Sequence, residues 1–582
     1  MHGPLTNEVH DRLSKAENAH SCNVADASGY SASVEVSGRS SGRRFAGARG
    51  ISLEGPSWLA SAALAGVLTA GMLAWDPHVR DLAAYVLRTE LFERSGFSIW
   101  NGSWYGGHYL LTHSVLFPPL AALFGARLVA AAAIVWSAYL FDRVVCERWG
   151  ERARPATLWY AAGAVTMLAS GRLSFALGVA FGLASLRALQ KHWAWPASFA
   201  GLACALASPV AAVFLAGILA AALLVDRERT GLAVPCIVAG VAVLPIVLLN
   251  LVFTDAGREP FSLSAWIALP LWCGGALYAT RHLKEERALR AVILGYLIAG
   301  TVVWLVPNAL GGNVTRLGAL FGGPVLLAAL LSRRVRITTP FLVLLLAGSL
   351  WWQCSAAVRD VVSSVGDRST SSSYYEPLAR WLRANGGGLA RIEVPFTQSH
   401  WETAYLAPEF GLARGWMRQV DRARNQLFYE GHLTHNRYRA WLRRNGVDFV
   451  ALPDAKNDYS AKKEHALIAS APSYLRLRAT LAHWRVYQVT GTSPIVRSRG
   501  PGRARLLSLT PQSFVLSVTE PGRFVVRVRS TPFWSISRED GCVSRTGPWT
   551  LVRADHAGTV RVSIGFSLGR ARQAAASDYK RC

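Results

Sequence analysis

Apolar residues crowd into long runs over the first part of the chain, and polar residues collect in the short intervals between them. Runs of spanning length fall at about 57–75, 118–141, 155–170, 173–189, 193–207, 208–225, 232–253, 263–280, 290–307, 314–331 and 337–354. They predict eleven transmembrane helices, the shortest lying between 173 and 207. A soluble core helix can mimic one such run, but not eleven.

After residue 355 the pattern changes. YYEPLARWLRAN (374–385) has helical spacing and stops at Gly386-Gly387-Gly388. LARIEVP predicts a strand, 434–445 a second helix and VDFVALP (447–453) a second strand. The segment to about 490 therefore reads as a small α/β domain. SRGPGRAR (498–505) reads as a linker. Beyond it, SFVLSV, RFVVRVRS and TVRVSIGFS alternate apolar and polar positions between glycine turns, which predicts a small β-sandwich. The predicted organisation is a tail (1–54), a membrane domain (55–356) with a long first loop (76–117), an α/β domain (357–495) and a β-sandwich (496–582). No internal repeat is visible.

Loop charges set the orientation. With the N-terminus in the cytoplasm, the inside loops carry fifteen basic residues, from Arg143 to Arg336, and the short outside loops only Arg172, Arg258 and Arg316. The alternation holds at every turn. It places the first loop and everything after residue 355 outside a cell membrane.

Composition sharpens this picture. The chain is 51% hydrophobic and 17% charged, as expected of a membrane protein with a soluble portion. Its net charge is +26, and 55 of its 62 basic residues are Arg. Residues 359–582 hold 34 Lys+Arg against 17 Asp+Glu, a net of +17, so most of the surplus lies outside. Two readings are open: attraction to phosphate-bearing lipids and anionic envelope polymers, or solubility alone. Nucleic acid is not expected there. The first 54 residues are rich in Ser, Gly and Ala without an apolar core, so they are expected to be a disordered tail and not a cleaved signal. Cys146, Cys204, Cys236 and Cys273 read as small buried hydrophobes, and Cys542 with Cys582 forms one open pair. GxSxG, P-loop, GxGxxG, HExxH and CxxC are all absent.

The chemistry-bearing residues gather in the first loop. AWDPHVRD (74–81) follows the first run and sets Asp76, His78, Arg80 and Asp81 close together. Asp81 has two readings: a general base at the mouth of a membrane cavity, or the N-cap of the helix that follows. Asp76 reads as a turn former or a supporting acid. The following helix is expected to lie on the membrane surface with Leu82, Val86 and Leu87 facing it. WNGSWYGGHYLLTHSVLFPP then supplies Trp100, Trp104, Tyr105, His108 and Tyr109, as an interfacial belt or as rings that stack on sugars. Arg172 and Arg316 read as phosphate ligands or as snorkelling side chains. Asp255 and Glu259 are the remaining outer-loop acids. In the α/β domain, His400, Glu402, Arg414, Trp416, Arg418 and Asp421 line a pocket or form a structural network. No metal site is assigned, and a divalent cation stays open as a cofactor.

A cytoplasmic N-terminus, a first-loop acid shortly after the first span, a surface helix, many further spans and an outer soluble domain together resemble the GT-C superfamily of polytopic glycosyltransferases. HVRDLAAYVLR and WNGSWYGGHYLLTHSVLFPP also resemble actinobacterial membrane proteins related to that superfamily. The resemblance covers about 55–490 and is architectural over most of it. It implies an inverting sugar transfer from a polyprenyl-phosphate donor to an envelope glycan or lipid, with Asp81 as base and Asp76 second to it. Arg80, Arg172, Arg316 and the first-loop rings Trp100, Trp104, Tyr105 and His108 would bind substrate. The chain departs from the superfamily in its five-residue spacing of Asp76 and Asp81 and in lacking a clear later acid. The alternative is a non-catalytic transporter or scaffold of envelope assembly.

Overall fold

The computed structural model describes residues 57–225, 233–255, 257–333, 337–386 and 389–577. The predicted tail and Cys582 lie outside them; Cys542 is disulfide-bonded. Every apolar run is helical. The long helices are α1 (Ser57–Trp75), α2 (Arg80–Ser95), α3 (Ala126–Trp149), α4 (Leu173–Gln190), α5 (Ala194–Ala207), α6 (Pro209–Val225), α7 (Ala233–Val252), α8 (Leu263–Thr280), α9 (Arg287–Leu305), α10 (Gly311–Leu331) and α11 (Thr339–Ser364). Seven of them, α3, α4 and α7 to α11, are long and apolar enough to cross a membrane, and the bent pair α1–α2 brings the number to eight. Val67, Leu128, Leu244, Leu344 and Trp351 are exposed on the bundle. Such an exterior would aggregate in water, so this is a membrane protein.

Several boundaries differ from the sequence reading. The 118–141 run is interrupted at Gly125 (φ 85°), which ends a short helix (Phe117–Phe124) begun by Pro118 and Pro119 and lets α3 start afresh. The 155–170 run is divided between Arg154–Ala164 and Thr166–Ala169. Cys236 is exposed on the bundle exterior, whereas Cys204 and Cys273 are buried as expected. Leu82 and Leu87 do not face lipid: they are buried, because α2 packs between the bundle and the Glu402–Tyr405 turn of the C-terminal half.

In the C-terminal half, α12 (Ser372–Gly386) and α13 (His435–Asn445) accompany a five-stranded mixed sheet. Its strands are β3 (Arg391–Glu393), β4 (Gly411–Leu412), β5 (Phe449–Pro453), β6 (Leu475–Thr480) and β7 (Trp484–Val489), in the order β4-β3-β5-β7-β6. Two four-stranded sheets follow. One orders β12 (Trp534–Ser535), β15 (Gly558–Ile564), β10 (Ser513–Glu520) and β9 (Arg503–Leu509). The other orders β13 (Gly541–Thr546), β14 (Trp549–Ala554), β11 (Gly522–Arg529) and β8 (Val496–Ser498). Phe514, Leu516, Phe524, Val526, Val552 and Val562 from both sheets share one core, the arrangement of a β-sandwich. Half of the expected linker 498–505 is strand, and Arg499–Gly502 connects β8 to β9.

The first loop joins these parts. Its strands β1 (Trp100–Asn101) and β2 (His108–Tyr109) form a two-stranded ribbon. Trp100 and Tyr109 enter the sandwich core, with Trp100 against Trp534 at 6.1 Å between ring centroids. Trp104 forms a bridge with Leu412, stacks on His108 and donates its indole N–H to the Thr403 carbonyl at 3.2 Å. A Cβ on Gly415 would fall 2.3 Å from the Trp104 ring, so glycine is required there. Trp104→Ala is expected to cost about 3–5 kcal/mol of stability, read as a lowered melting temperature in detergent, whereas Leu507→Ala on the exposed sandwich face leaves the melting temperature nearly unchanged.

Candidate active site

A cavity of about 650 Å³ lies where the first loop, the ends of α4, α10 and α11, the 253–262 loop and the 416–420 segment meet. Arg80, Asp81 and Arg88 reach it from α2. Arg172 reaches it from the start of α4, Arg316 from α10 and Asp360 from α11. Asp255 and Glu259 come from the loop, and Trp416, Arg418 and Tyr459 from the C-terminal half.

Local sequence explains why Asp81 is there. Asp76 ends α1 in the left-handed region (φ 53°), a conformation that Asp tolerates, and its N–H donates to the Met72 carbonyl at 3.1 Å. Its carboxylate is ion-paired with Arg127, which also donates to the Pro77 carbonyl at 2.8 Å. This junction holds the 84° bend between α1 and α2. His78 packs on Trp401 at 5.0 Å, and its carbonyl accepts from the Trp401 indole at 3.1 Å. The N-cap of α2 is Val79, which makes no side-chain cap bond, so the reading of Asp81 as N-cap is corrected: Asp81 stands in the first turn. Gly171 (φ 67°) lets the next segment close in. A Cβ there would meet the Leu82 nitrogen at 3.0 Å and the Asp81 Cβ at 3.1 Å. Arg172 is thereby brought beside α2.

Some of the cavity's charges are satisfied by protein. Arg80 pairs with Asp360 at 2.6 Å. Arg418 forks onto Asp458 at 3.0 and 2.9 Å, and Asp255 pairs with Arg424. Arg88, Arg172 and Arg316 have no carboxylate partner among the described residues, and neither Asp81 nor Glu259 has a cationic one. Arg88 is buried with its Nε unpartnered, and Arg316 lies over the Phe175 ring at 5.4 Å. Guanidinium groups held out of bulk water are costly unless paired, and the matching partner for a planar fork is a phosphate or carboxylate oxygen pair. The site is therefore suited to an anion.

Glu259 is the residue that sequence reasoning undervalued. Its backbone N–H donates to the Asn308 carbonyl at 2.9 Å. On one side of its loop a Cβ on Gly257 would strike the Gln419 carbonyl at 1.8 Å, and on the other a Cβ on Gly311 would strike the Glu259 carbonyl at 2.3 Å. The two glycines clamp the loop and hold Glu259 in the cavity. Burial pushes its carboxyl up to about 7, against the pull of Arg316 and Arg418. Nothing in FTDAGREPFS marks this, since the clamping partners are remote in sequence. His113, Tyr85 and Ser174 form a further chain on the wall: His113 Nε2 lies 3.3 Å from the Tyr85 hydroxyl, which lies 2.8 Å from Ser174 Oγ. Burial holds the His113 imidazole well below its usual range, hence neutral.

The other predicted residues lie elsewhere. Asp76 is at the α1–α2 junction. Trp100, Trp104, Tyr105 and His108 are buried in the joint between first loop and C-terminal half. The Tyr105 hydroxyl donates to the Gly415 and Met417 carbonyls and accepts from the Met417 N–H at 3.1 Å. Burial pushes His108 well below its usual range. Of the α/β-domain residues, Trp416 and Arg418 line the cavity, and His400 stacks behind Trp416 at 3.7 Å. Glu402 accepts from the Thr397 hydroxyl at 2.6 Å. Arg414 and Asp421 pair with each other and do not line the cavity. Among the described residues, no three His, Cys, Asp or Glu side chains converge as a metal-binding group.

Below pH 7 Glu259 is neutral; above it, its negative charge faces the same space as the unpaired arginines. Dihexyl phosphate, singly charged at both pH 6 and pH 8, is expected to bind roughly tenfold more tightly at pH 6, and Glu259→Gln to abolish the difference, as measured by calorimetry in detergent. No family model matches this chain, and no curated protein matches it. Among solved structures it is similar to the arabinofuranosyltransferase AftD from mycobacteria, solved by single-particle cryo-EM, with 14% sequence identity and a TM-score of 0.46. The match covers 88% of this chain and 57% of that one, so the chain spans little more than half the length of that structure.

Proposed function

We propose that the protein is a GT-C-like membrane glycosyltransferase that moves a sugar from a polyprenyl-phosphate donor to an envelope glycan or lipid on the outer face of the cell membrane. In this reading the chain spans the membrane eleven times from a cytoplasmic N-terminus, and the α/β domain and β-sandwich stand outside. One observation carries the proposal: Arg88, Arg172, Arg316 and Asp81, none ion-paired among the described residues, face one cavity at the end of a membrane bundle.

The donor's phosphodiester sits on Arg172 and Arg316, with Arg88 behind. Its prenyl chain leaves between α6 and α7, where Val213 and Asn250 on the cavity wall are exposed. Asp81 takes the proton of the acceptor hydroxyl as that oxygen attacks the anomeric carbon. The bond to the phosphate oxygen breaks on the opposite face, so the configuration inverts. The departing polyprenyl phosphate keeps the electron pair, and the arginines stabilise its second negative charge. Glu259, protonated about half the time near pH 7, donates a hydrogen bond to the phosphate when neutral. Tyr459, exposed at the rim, offers a ring to the sugar. Trp100, Trp104, Tyr105 and His108 act indirectly, by holding the 415–417 backbone against the first loop.

Purified protein in nanodiscs, given a radiolabelled polyprenyl-phosphate sugar and envelope glycan, is expected to show transfer. Asp81→Asn should lower turnover by about 10²–10⁴-fold, the usual range of a general base. Arg316→Gln should raise the donor KM with a smaller change in kcat. Full turnover in a folded Asp81→Asn protein would exclude the mechanism. Absence of transfer in the wild type with every lipid-linked sugar tried would favour the transporter or scaffold.

A further inference from the structure

A second cavity, of about 320 Å³, lies inside the bundle and shares no lining residue with the charged one. The two are arranged in sequence along the same helices. α4 leaves the charged cavity at Ser174 and lines the second one from Gly178 to Leu186. α10 leaves at Arg316 and lines it from Leu317 to Val325, through a π turn at Gly318–Gly322. α9 lines it from Tyr296 back to Ala288. The second cavity thus extends toward the end of the bundle opposite Asp81.

Its walls are apolar, built from residues such as Phe141, Val179, Phe214, Ile293, Phe321 and Val325. The ionisable side chains on it are Arg148 and Glu286, and these satisfy each other at 3.0 Å, with the Trp149 indole donating to Glu286 at 3.1 Å. Water entering such a space would find almost no hydrogen-bond partner. Interiors are otherwise close-packed, and an apolar cavity of about 150 Å³ stays dry and takes up benzene. A void about twice that size, in a bundle surrounded by lipid, calls for a hydrocarbon occupant. The rim gives the headgroup. Beside Glu286, Arg287 is exposed and has no carboxylate partner among the described residues; Arg281 and Arg290 stand nearby, and Arg333 pairs with Glu285. A basic rim over an apolar cavity complements an anionic lipid.

We propose that this cavity is a binding site for one acyl chain of an anionic glycerophospholipid, taken from the leaflet opposite the charged cavity and held by its headgroup at Arg287 and Arg290. It is distinct from the path of any lipid bound at Arg316, because the charged cavity has its own apolar side at Val213 and Ile246.

The test uses the full chain in nanodiscs containing phosphatidylglycerol with a diazirine at the end of one acyl chain. After photolysis, adducts are expected on 141–149 and 288–296, at side chains facing the cavity. Unlabelled phosphatidylglycerol should displace them at several-fold lower concentration than phosphatidylcholine. Val144→Phe with Val292→Phe, which fills the cavity, should cut these adducts at least tenfold while the melting temperature holds or rises. If that variant does not fold, the wild-type adduct map and competition still decide. Adducts confined to outward residues such as Leu294 and Ile298, or equal competition by phosphatidylcholine, would overturn the proposal. So would displacement by polyprenyl phosphate that is lost in Arg316→Gln, which would make the cavity part of the donor site. Sugar transfer is not read here, so failure leaves the proposed activity standing on its own test.

Discussion

The architecture depends on the insertion of the first loop into the edge of the α/β sheet. The Leu412 N–H donates to the Ser103 carbonyl at 2.7 Å, and the Tyr105 N–H returns the bond to the Leu412 carbonyl at 3.1 Å. These bonds extend the sheet at β4 with a segment that began between α1 and the rest of the bundle. Trp104, buried against Gly415, and Tyr105, bonded to residues 415 and 417, fix the register. The charged cavity has walls from many separate stretches of chain, and this joint holds two of them together, the first loop and the 416–420 segment. That is why the strongest aromatic residues of the loop lie in the joint and not on the cavity wall.

Two polar clusters of similar composition differ in a way that separates structure from chemistry. Around Arg414 the charges are paired within the protein. Its guanidinium bonds Asp421 at 2.8 Å and Glu464 at 3.0 Å and lies between the Phe396 and Phe428 rings at 4.0 Å each. Tyr438 bonds Glu464 and Tyr429 bonds Asp421. Burial and the adjacent Glu464 push the Glu393 carboxyl well up, so one of the acids is neutral and the cluster carries little net charge. Its charged groups face one another inside the domain and not an open cavity. In the cavity the reverse holds: Arg88, Arg172 and Arg316 keep unused donors and Asp81 an unused acceptor. Sequence composition alone does not distinguish the two, because both are rich in Arg, Asp and Glu.

The bundle is under a different constraint. Its helices need only be apolar toward lipid, and they tolerate breaks where another part of the chain satisfies the backbone. The π turn at Gly318–Gly322 is such a break: the Gly318 N–H donates to the Tyr296 hydroxyl and the Leu320 carbonyl accepts from Gln353, each at 3.1 Å. Glycines at 318 and 322 let the Trp352 and Trp272 rings pack closely, and Gly318, Gly322 and Trp272 line the apolar cavity.

The sequence by itself determined the helices and the change to alternating strands, and it singled out Asp81, Arg80, Arg172 and Arg316, because these rest on local periodicity and on polar residues that stand out among apolar ones. α13 and β5 fall within two residues of their predicted bounds, and the alternating strands form two sheets. Only the tertiary structure decided that Asp81 is not a cap, that α2 faces protein and not lipid, and that Trp100, Trp104, Tyr105 and His108 close a joint. It also decided that Glu259 shares a cavity with Arg316. Each of these is a matter of contact between segments far apart in sequence, and a side chain's partner at such distance leaves no periodic mark in the chain.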